Sequence, residues 1–351
     1  METIMMKKTC SMVVAQTAAA LLVAALAWAA GRPLLINGAG ATFPYPIYTK
    51  WFSEFAKLDG SVNFNYQSIG SGGGIRQITA QTVDFGASDG PMTDEQLQKA
   101  PSPVLHLPTV LGGVVPIYTL PEVSAPLQFT QGALAGIFLG TITSWNHPEI
   151  AKANPGVTLP NKPIVVVHRS DGSGTSYIWT DFLSSASPAW KAKVGKSTSV
   201  NWPVGLGGKG NEGVAGLVKQ TPYAIGYVEL GYATNNKLPY GRVQNRAGQY
   251  VECTAQTVTS AAAVAAGRMP KDFRVSIVNA SGADSYPIAS YTWLLVYRQQ
   301  TDKVKGEALV KFLRWMAKEG QQYTEPLGYA PLPPEVAVMV EQAIERIQLP
   351  T

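Results

Sequence analysis

The chain has 351 residues, with 28 basic against 23 acidic side chains and a formal net charge of +5. Its basic residues are scattered, without runs or interleaved aromatic side chains, so the sequence lacks the footprint of a nucleic-acid-binding protein and predicts no nucleic-acid partner. The length exceeds what a single hydrophobic core usually organises, which favours two domains.

Residues 1–30 are typical of an export signal. Lys7 and Lys8 form a basic start, a run of thirteen apolar residues follows, and a small-x-small cleavage site ends at Ala29. A membrane anchor is the alternative interpretation, but the run is shorter than the roughly 20 residues that a spanning helix needs. We therefore expect cleavage near Ala29 or Ala30 and a soluble, exported product that stays mildly basic.

Cysteine usage is sparse. Only Cys253 remains after removal of the signal, so no intramolecular disulfide can form and stability must come from core burial. A buried free thiol is the default expectation for it. Cys10 precedes the apolar run, so it does not lie at the cleavage point, where the lipid-bearing cysteine of an exported lipoprotein must be.

Short β-rich runs alternate with helical patterns along the rest of the chain, which predicts α/β layering with a largely parallel sheet. The first predicted element is a helix with Ile47, Trp51, Phe55 and Leu58 on one apolar face. It is followed by a strand at 62–66, a helix around Ile75 and Ile78, a strand at 84–88 and a helix that a capping box at 93–96 begins. Farther along, the pattern predicts a buried strand at 163–168, helices at 177–183 and 214–219, and amphipathic helices at 309–316 and 336–347.

Three loops place hydroxyl groups and glycines where a predicted strand passes into a helix: Thr42-Phe43, Ser71-Gly72-Gly73-Gly74 and Ser173-Gly174-Thr175. A helix start has unpaired N–H groups and a positive dipole end, so it can hold an oxygen of phosphate or sulfate. One such loop alone is more often an ordinary cap. The three together, with Asp89 and Arg169 at the ends of predicted strands, indicate a site that encloses a tetrahedral anion.

Two enzyme motifs compete with this interpretation. Residues 86–90 match the G-x-S-x-G nucleophile elbow, but Pro91 separates them from the next helix, and none of the three histidines has an evident orienting partner. Residues 205–210 match G-x-G-x-x-G, with Glu229 at the distance of a ribose-binding acid. Because Pro203 makes the preceding segment a poor central strand, a flexible glycine-rich loop is favoured there. Isolated histidines and a lone cysteine predict no metal site.

The ordered motifs resemble the periplasmic phosphate-binding proteins of high-affinity phosphate ABC transporters. They are Gly38-Ala-Gly-Ala-Thr-Phe-Pro44, Ile69-Gly-Ser-Gly-Gly-Gly74, Asp84-Phe-Gly-Ala-Ser-Asp89, Arg169-Ser-Asp-Gly-Ser-Gly-Thr175 and Gly205-Leu-Gly-Gly-Lys-Gly-Asn211, followed by Ala224-Ile-Gly-Tyr227. The resemblance implies an α/β fold of two domains arranged as a type II-like clamshell, each a mixed, mainly parallel sheet flanked by helices. It implies domain I at residues 31–115 plus 286–351 and domain II at residues 116–285.

The same resemblance implies a non-enzymatic carrier without cofactor or metal. It would act as a monomer that captures inorganic phosphate and delivers it to the membrane permease subunits of an ABC transporter. The ligand contacts carried over by position are Thr42, Phe43, Ser71, Asp89, Arg169, Ser173, Gly174 and Thr175. Asp171 would pair with Arg169 and hold its guanidinium in place.

Asp89 is the residue that bears on selectivity. A carboxylate beside an anion is favourable only if the ligand carries a proton to donate, which hydrogen phosphate does and sulfate at neutral pH does not. We therefore expect phosphate to be selected over sulfate, while arsenate is not distinguished by this reasoning. The alternatives are a carrier for sulfate or molybdate and, from the enzyme class, a phosphatase or esterase.

Overall fold

The computed structural model describes residues 33–351, so the predicted export signal and Cys10 lie outside the described residues. The strands are β1 (Leu34–Gly40), β2 (Val62–Ser68), β3 (Phe85–Ser88), β4 (Val104–Tyr118), β5 (Gln128–Phe129), β6 (Val165–Arg169), β7 (Leu206–Gly208), β8 (Ala224–Glu229), β9 (Arg242–Gln244), β10 (Tyr250–Val251) and β11 (Ala289–Tyr297).

The α-helices are α1 (Tyr45–Leu58), α2 (Ser71–Thr79), α3 (Asp94–Lys99), α4 (Gln131–Leu139), α5 (Pro148–Ala153), α6 (Gly174–Ala186), α7 (Pro188–Lys193), α8 (Gly210–Gln220), α9 (Leu230–Asn235), α10 (Ala255–Ala266), α11 (Lys303–Ala317) and α12 (Pro334–Ile344). Two short 3₁₀ helices, Glu319–Tyr323 and Glu325–Leu327, lie between α11 and α12. Across residues 33–351, none of the helices combines the length and the apolar character needed to cross a membrane.

Eight strands form one hydrogen-bonded sheet in the order β2-β1-β3-β11-β4-β8-β6-β7, and β10-β9-β5 form a second, small sheet. The two outer groups of the large sheet are parallel, because β1 pairs with β2 and β3 while β6 pairs with β7 and β8. The central strands β11 and β4 run antiparallel to their neighbours. The predicted α/β class with a mixed sheet flanked by helices is confirmed.

Strand β4 connects the two halves of the large sheet. Its first part, from Val104 to Gly113, pairs with β11, and its last part, from Val114 to Tyr118, pairs with β8. Residues 106–118 are all buried, so this strand has the continuous apolar character of one that is covered on both faces. A single continuous strand thus joins the parallel groups whose ends carry the predicted anion loops.

Most of the predicted elements appear where the apolar periodicity placed them. The capping box before α3 is present, with Thr93 and Gln96 exchanging hydrogen bonds. Cys253 is buried and unpaired, as expected. One prediction for α1 is wrong, since Leu58 is 67% exposed. It is the last residue of that helix, at the end where the chain turns toward β2, so its position on the apolar face does not bring it into the core.

A cluster of phenylalanines joins α1, β2, β3 and α11. Phe312 lies with its ring centroid 4.5 Å from that of Phe64 and 5.4 Å from those of Phe52 and Phe55. Phe85 packs against the same rings from β3. Because aromatic rings bury large apolar areas and add pairwise attraction, this cluster fixes the helices against the first half of the sheet.

Substitution of Phe312 by alanine is expected to lower the free energy of unfolding by about 3 to 5 kcal/mol, because Phe312 is 1% exposed and its removal leaves a cavity among the surrounding rings. Urea unfolding followed by circular dichroism measures the change. Val304→Ala in the same helix is the control, since Val304 is 61% exposed. Equal losses in the two variants would contradict the role given to the cluster.

Candidate anion-binding site

The three predicted loops meet at the carboxyl ends of the parallel strands. The Thr42-Phe43 loop follows β1, Asp89 follows β3 directly, and Arg169 is the last residue of β6. The loop that begins α2 touches the loop that begins α6, because the N–H of Gly72 donates to the carbonyl of Gly172 over 2.9 Å. Loops from the two halves of the sheet are therefore in direct contact at this place.

Gly174 shows how closely these loops approach. A Cβ atom at this position would lie 2.4 Å from both Asp89 Oδ2 and Ser71 Oγ, a separation that real Cβ atoms do not tolerate. The first residue of α6 thus lies against two side chains contributed by the other half of the sheet. Only a glycine permits this contact.

All eight residues assigned to the ligand by resemblance are buried and close to this contact. They are Thr42, Phe43, Ser71, Asp89, Arg169, Ser173, Gly174 and Thr175. Within residues 33–351, the backbone N–H groups of Phe43, Ser71 and Gly174 have no hydrogen-bond partner. Unpaired N–H groups at the starts of α2 and α6 are the arrangement that binds anions. The arrangement offers several donors to one small anion.

The hydroxyl groups of the third loop are already engaged within the protein. Ser173 is the N-cap of α6, and its Oγ accepts from the N–H of Ser176 over 3.0 Å. Thr175 Oγ1 accepts from Arg169 Nη1 over 3.4 Å. These bonds orient the loop, and each hydroxyl still has its own hydrogen to donate.

The guanidinium of Arg169 is held by a carboxylate from its own loop. Arg169 Nε donates to Asp171 Oδ1 over 2.7 Å, and Nη2 donates to Oδ2 over 2.6 Å. Asp171 also accepts from the N–H of Gly210 over 3.1 Å. Burial raises the pKa of Asp171, but hydrogen bonds and charge from Arg169 outweigh it, and the net pKa is below the ordinary value. Asp171 therefore stays ionised and fixes one edge of the Arg169 guanidinium.

The carboxylate of Asp89 is 1% exposed. Thr292 donates to its Oδ1 over 2.7 Å, and Ser71 Oγ donates weakly to its Oδ2 over 3.4 Å. Burial raises the pKa of Asp89 to about 7, although these hydrogen bonds and the charge of Arg169 lower it. The group can therefore accept a hydrogen bond above neutral pH and donate one below it.

Asn211 is a central residue of this site that sequence reasoning did not identify. Its Nδ2 donates to Thr42 Oγ1 over 2.8 Å and to Thr175 Oγ1 over 3.1 Å, while its Oδ1 accepts from the N–H of Glu229 over 3.2 Å. The residue is fully buried. Asn211 thus ties the first loop to the third. The sequence feature that could have identified Asn211 is its position as the last residue of the 205–211 motif.

The expectation of a flexible glycine-rich loop at 205–210 is wrong. Leu206, Gly207 and Gly208 form the edge strand β7, which pairs in parallel with Val167, His168 and Arg169 of β6. The strand is short because the helix α8 begins at Gly210. This pairing is what brings Asn211 beneath the anion loops.

The first loop is also fixed by two tyrosines that donate to its backbone carbonyls. Tyr232 donates to the carbonyl of Thr42 over 2.6 Å, and Tyr329 donates to the carbonyl of Phe43 over 2.7 Å. Tyr329 also contacts Glu229 Oε2 at 3.2 Å. Burial raises the pKa of Glu229 to about 8, and its carboxyl group pairs with the hydroxyl of Tyr329 inside the protein.

Ser88 and the histidines of the competing hydrolase motif have other partners. Ser88 Oγ bonds to the backbone of Gly90, and no hydrogen bond within residues 33–351 joins it to a histidine. His106 accepts from the N–H of Met92, and His168 bonds to the carbonyl of Arg169. In the same described part of the chain, no group of three or more potential metal ligands is present.

Comparison with known proteins gives consistent relatives. The family model for a PBP superfamily domain matches residues 25–319. The phosphate-binding protein PstS of Pasteurella multocida is 47% identical over 307 residues, which cover 87% of this chain and 88% of that protein. The PstS of Xylella fastidiosa strain Temecula1 is 45% identical over 311 residues, covering 88% and 85%. The PstS of Methanocaldococcus jannaschii is 36% identical over 338 residues, covering 90% and 87%.

Solved structures share the fold. A high-affinity periplasmic phosphate-binding protein bound with phosphate, PfluDING, superimposes with a TM-score of 0.70 at 21% identity, covering 88% of this chain and 93% of that chain. The phosphate-binding protein of Stenotrophomonas maltophilia superimposes with a TM-score of 0.67 at 20% identity over the same shares. On the family model and the curated relatives, this chain belongs to the PstS family of phosphate-binding proteins within the PBP superfamily.

Proposed function

We propose that this protein is a periplasmic solute-binding protein that captures inorganic phosphate and delivers it to the membrane permease subunits of a phosphate ABC transporter. The observation that carries the proposal is a buried carboxylate, Asp89, among hydrogen-bond donors from both halves of the sheet. The names of the PstS relatives support the choice of phosphate. Export with cleavage near Ala29 or Ala30 belongs to the same proposal.

The two halves act as the domains of a clamshell, with domain I at residues 31–115 plus 286–351 and domain II at 116–285. The change of partner along β4, from β11 up to Gly113 to β8 from Val114, supports the first boundary. The hydrogen bond between Gly72 and Gly172 and the bridge through Asn211 join the halves around the site. The structure thus has the contacts expected of a closed form.

The phosphate is held mainly by hydrogen bonds. Removing a doubly charged anion from water costs many kcal/mol, so the site must supply a dense shell of donors. Charge-assisted hydrogen bonds contribute about 1.5 to 3 kcal/mol each. The donors that we propose are the side chain of Arg169, the hydroxyls of Thr42, Ser71, Ser173 and Thr175, and the N–H groups of Phe43, Ser71, Gly174 and Thr175. Such a shell is compatible with a micromolar or tighter complex, which needs about −8 kcal/mol or more.

Asp89 provides the selectivity. As a carboxylate it accepts the O–H of hydrogen phosphate, and it repels sulfate, which has no proton to donate at neutral pH. Binding by such donors needs no nucleophile, so the protein acts as a carrier and not as an enzyme. A sulfate or molybdate carrier would have no use for a buried carboxylate at this place.

Gly174→Ala is expected to weaken phosphate binding at least about 100-fold, because a methyl group 2.4 Å from Asp89 Oδ2 and Ser71 Oγ prevents the loops from closing. Isothermal calorimetry on refolded, ligand-free protein measures the affinity. Gly216→Ala in α8 is the control, since a Cβ there meets nothing within 4 Å. Phosphate affinity of Gly174→Ala within threefold of the wild type would refute the closed geometry.

Asp89→Asn is expected to admit sulfate as a competitor for phosphate, because the amide can donate a hydrogen bond where the carboxylate cannot. In the wild type, sulfate competition should grow as the pH falls through about 7, where Asp89 becomes protonated and acquires an O–H to donate. Competition calorimetry at pH 8 and pH 5.5 checks both effects.

Glu307→Gln, an exposed substitution in α11, serves as the control for the loss of a carboxylate. It should leave sulfate excluded at pH 8. The selectivity mechanism fails if Asp89→Asn excludes sulfate as strongly as the wild type does.

A further inference from the structure

A second cavity lies apart from the phosphate site, between the start of β4, the segment 271–274 and the residues that follow β11 and α12. Its volume is about 510 Å³, within the range of small-molecule sites. Its lining contains none of the residues that we assign to phosphate. The cavity is much larger than a bare inorganic anion requires.

The lining is strongly cationic. Lys271, Arg274, Arg298 and Arg346 line the cavity against a single carboxylate, Asp272. That carboxylate is already paired with Arg274 over 2.8 Å, and Arg274 also pairs with Asp94 over 2.7 Å. Lys271, Arg298 and Arg346 have no carboxylate partner within residues 33–351. Three uncompensated cations remain, which suits a ligand with two negative charges.

One polar group in this wall is buried and left without a partner. Arg298 Nε is buried and has no hydrogen-bond acceptor in the described part of the chain. His106 is 4% exposed, and its Nε2 accepts from the N–H of Met92 over 3.0 Å, so the ring proton is on Nδ1. The buried Nε–H of Arg298 has no acceptor, which is uncommon and indicates a ligand or ion that completes it.

The remaining lining is apolar. It consists of Leu97, Pro103, Val104, Leu105, Phe273 and Ala343. A bare phosphate would leave this surface uncovered, whereas an organic body would cover it while its charged group met the cations. The combination distinguishes this cavity from the phosphate site, whose residues are almost entirely polar.

We propose that this cavity binds a small organic phosphate, in which a phosphomonoester group contacts Arg298, Arg346 and Lys271 and an apolar or aromatic body lies on Leu97 and Leu105. A phosphomonoester matches the three free cations better than a single carboxylate does, because it carries close to two charges at neutral pH. Guanidinium groups also provide the paired donors that a phosphate accepts.

The segment that forms one wall of this cavity continues toward the phosphate site. Arg274 contacts the carbonyl of Met92, three residues beyond Asp89, and Ser276 donates to Asp181 of α6 over 2.6 Å. The occupied cavity would therefore stabilise a segment that touches both halves of the protein.

The test is calorimetric titration of the full processed protein, already saturated with inorganic phosphate, with adenosine 5′-monophosphate at low ionic strength. Saturating phosphate fills the first site, so any heat reports on a second one, and the loading step itself shows whether phosphate is bound. One nucleotide per chain is expected, with adenosine, which lacks the phosphate, binding at least about tenfold more weakly.

The double variant K271Q/R346Q should bind the nucleotide at least about tenfold more weakly with phosphate affinity unchanged, since both residues are exposed and outside the first site. Arg314→Gln, an exposed arginine of α11 that does not line the cavity, is the control. The proposal is overturned by the absence of saturable binding up to about 1 mM nucleotide. Equal affinity in the double variant and the wild type, or for adenosine and its monophosphate, would overturn it as well.

Discussion

The burial of charge at Asp89 is the constraint on which the site depends. Among the buried residues described around it, Arg169 is the one cation, and Asp171 already compensates part of its charge. The side chains alone therefore offer an anion little net attraction. Affinity must come from oriented N–H and O–H donors at helix starts, which hold an anion without a surplus of positive charge. Such donors would allow the phosphate carrier that we propose to keep a carboxylate at its ligand and use it for selection.

Such a shell of donors requires that loops from distant parts of the chain meet to within a fraction of an ångström. The fold achieves this by joining two parallel groups of strands through β4 and β11, so that the anion loops lie at the carboxyl ends of strands on both sides. Gly174 allows the final approach, and Asn211 holds the first and third loops together with its amide. Because these contacts cross the two halves, the function that we propose would couple phosphate binding to closure of the two halves.

Much of this was accessible from the sequence, because apolar periodicity reports which face of an element is buried and glycine-rich, hydroxyl-rich turns report helix starts. The strand ends at Asp89 and Arg169 were located in this way. The exposure of Leu58 and the roles of Asn211 and Thr292 were not, since each depends on which elements become neighbours in the sheet. Apolar periodicity carries no information about which strands pair with each other. For this reason the 205–211 motif was interpreted as a loop, although its residues 206–208 pair with β6 in the structure.

The most direct test of this account is a calorimetric titration of refolded, ligand-free wild-type protein with phosphate at pH 8, with and without a large excess of sulfate. Saturation at one phosphate per chain, with the same affinity in both buffers, is the result that the buried carboxylate and its ring of donors predict. Absence of binding heat, or displacement of phosphate by sulfate, would contradict the assignment of Asp89 as the residue that selects a protonated anion.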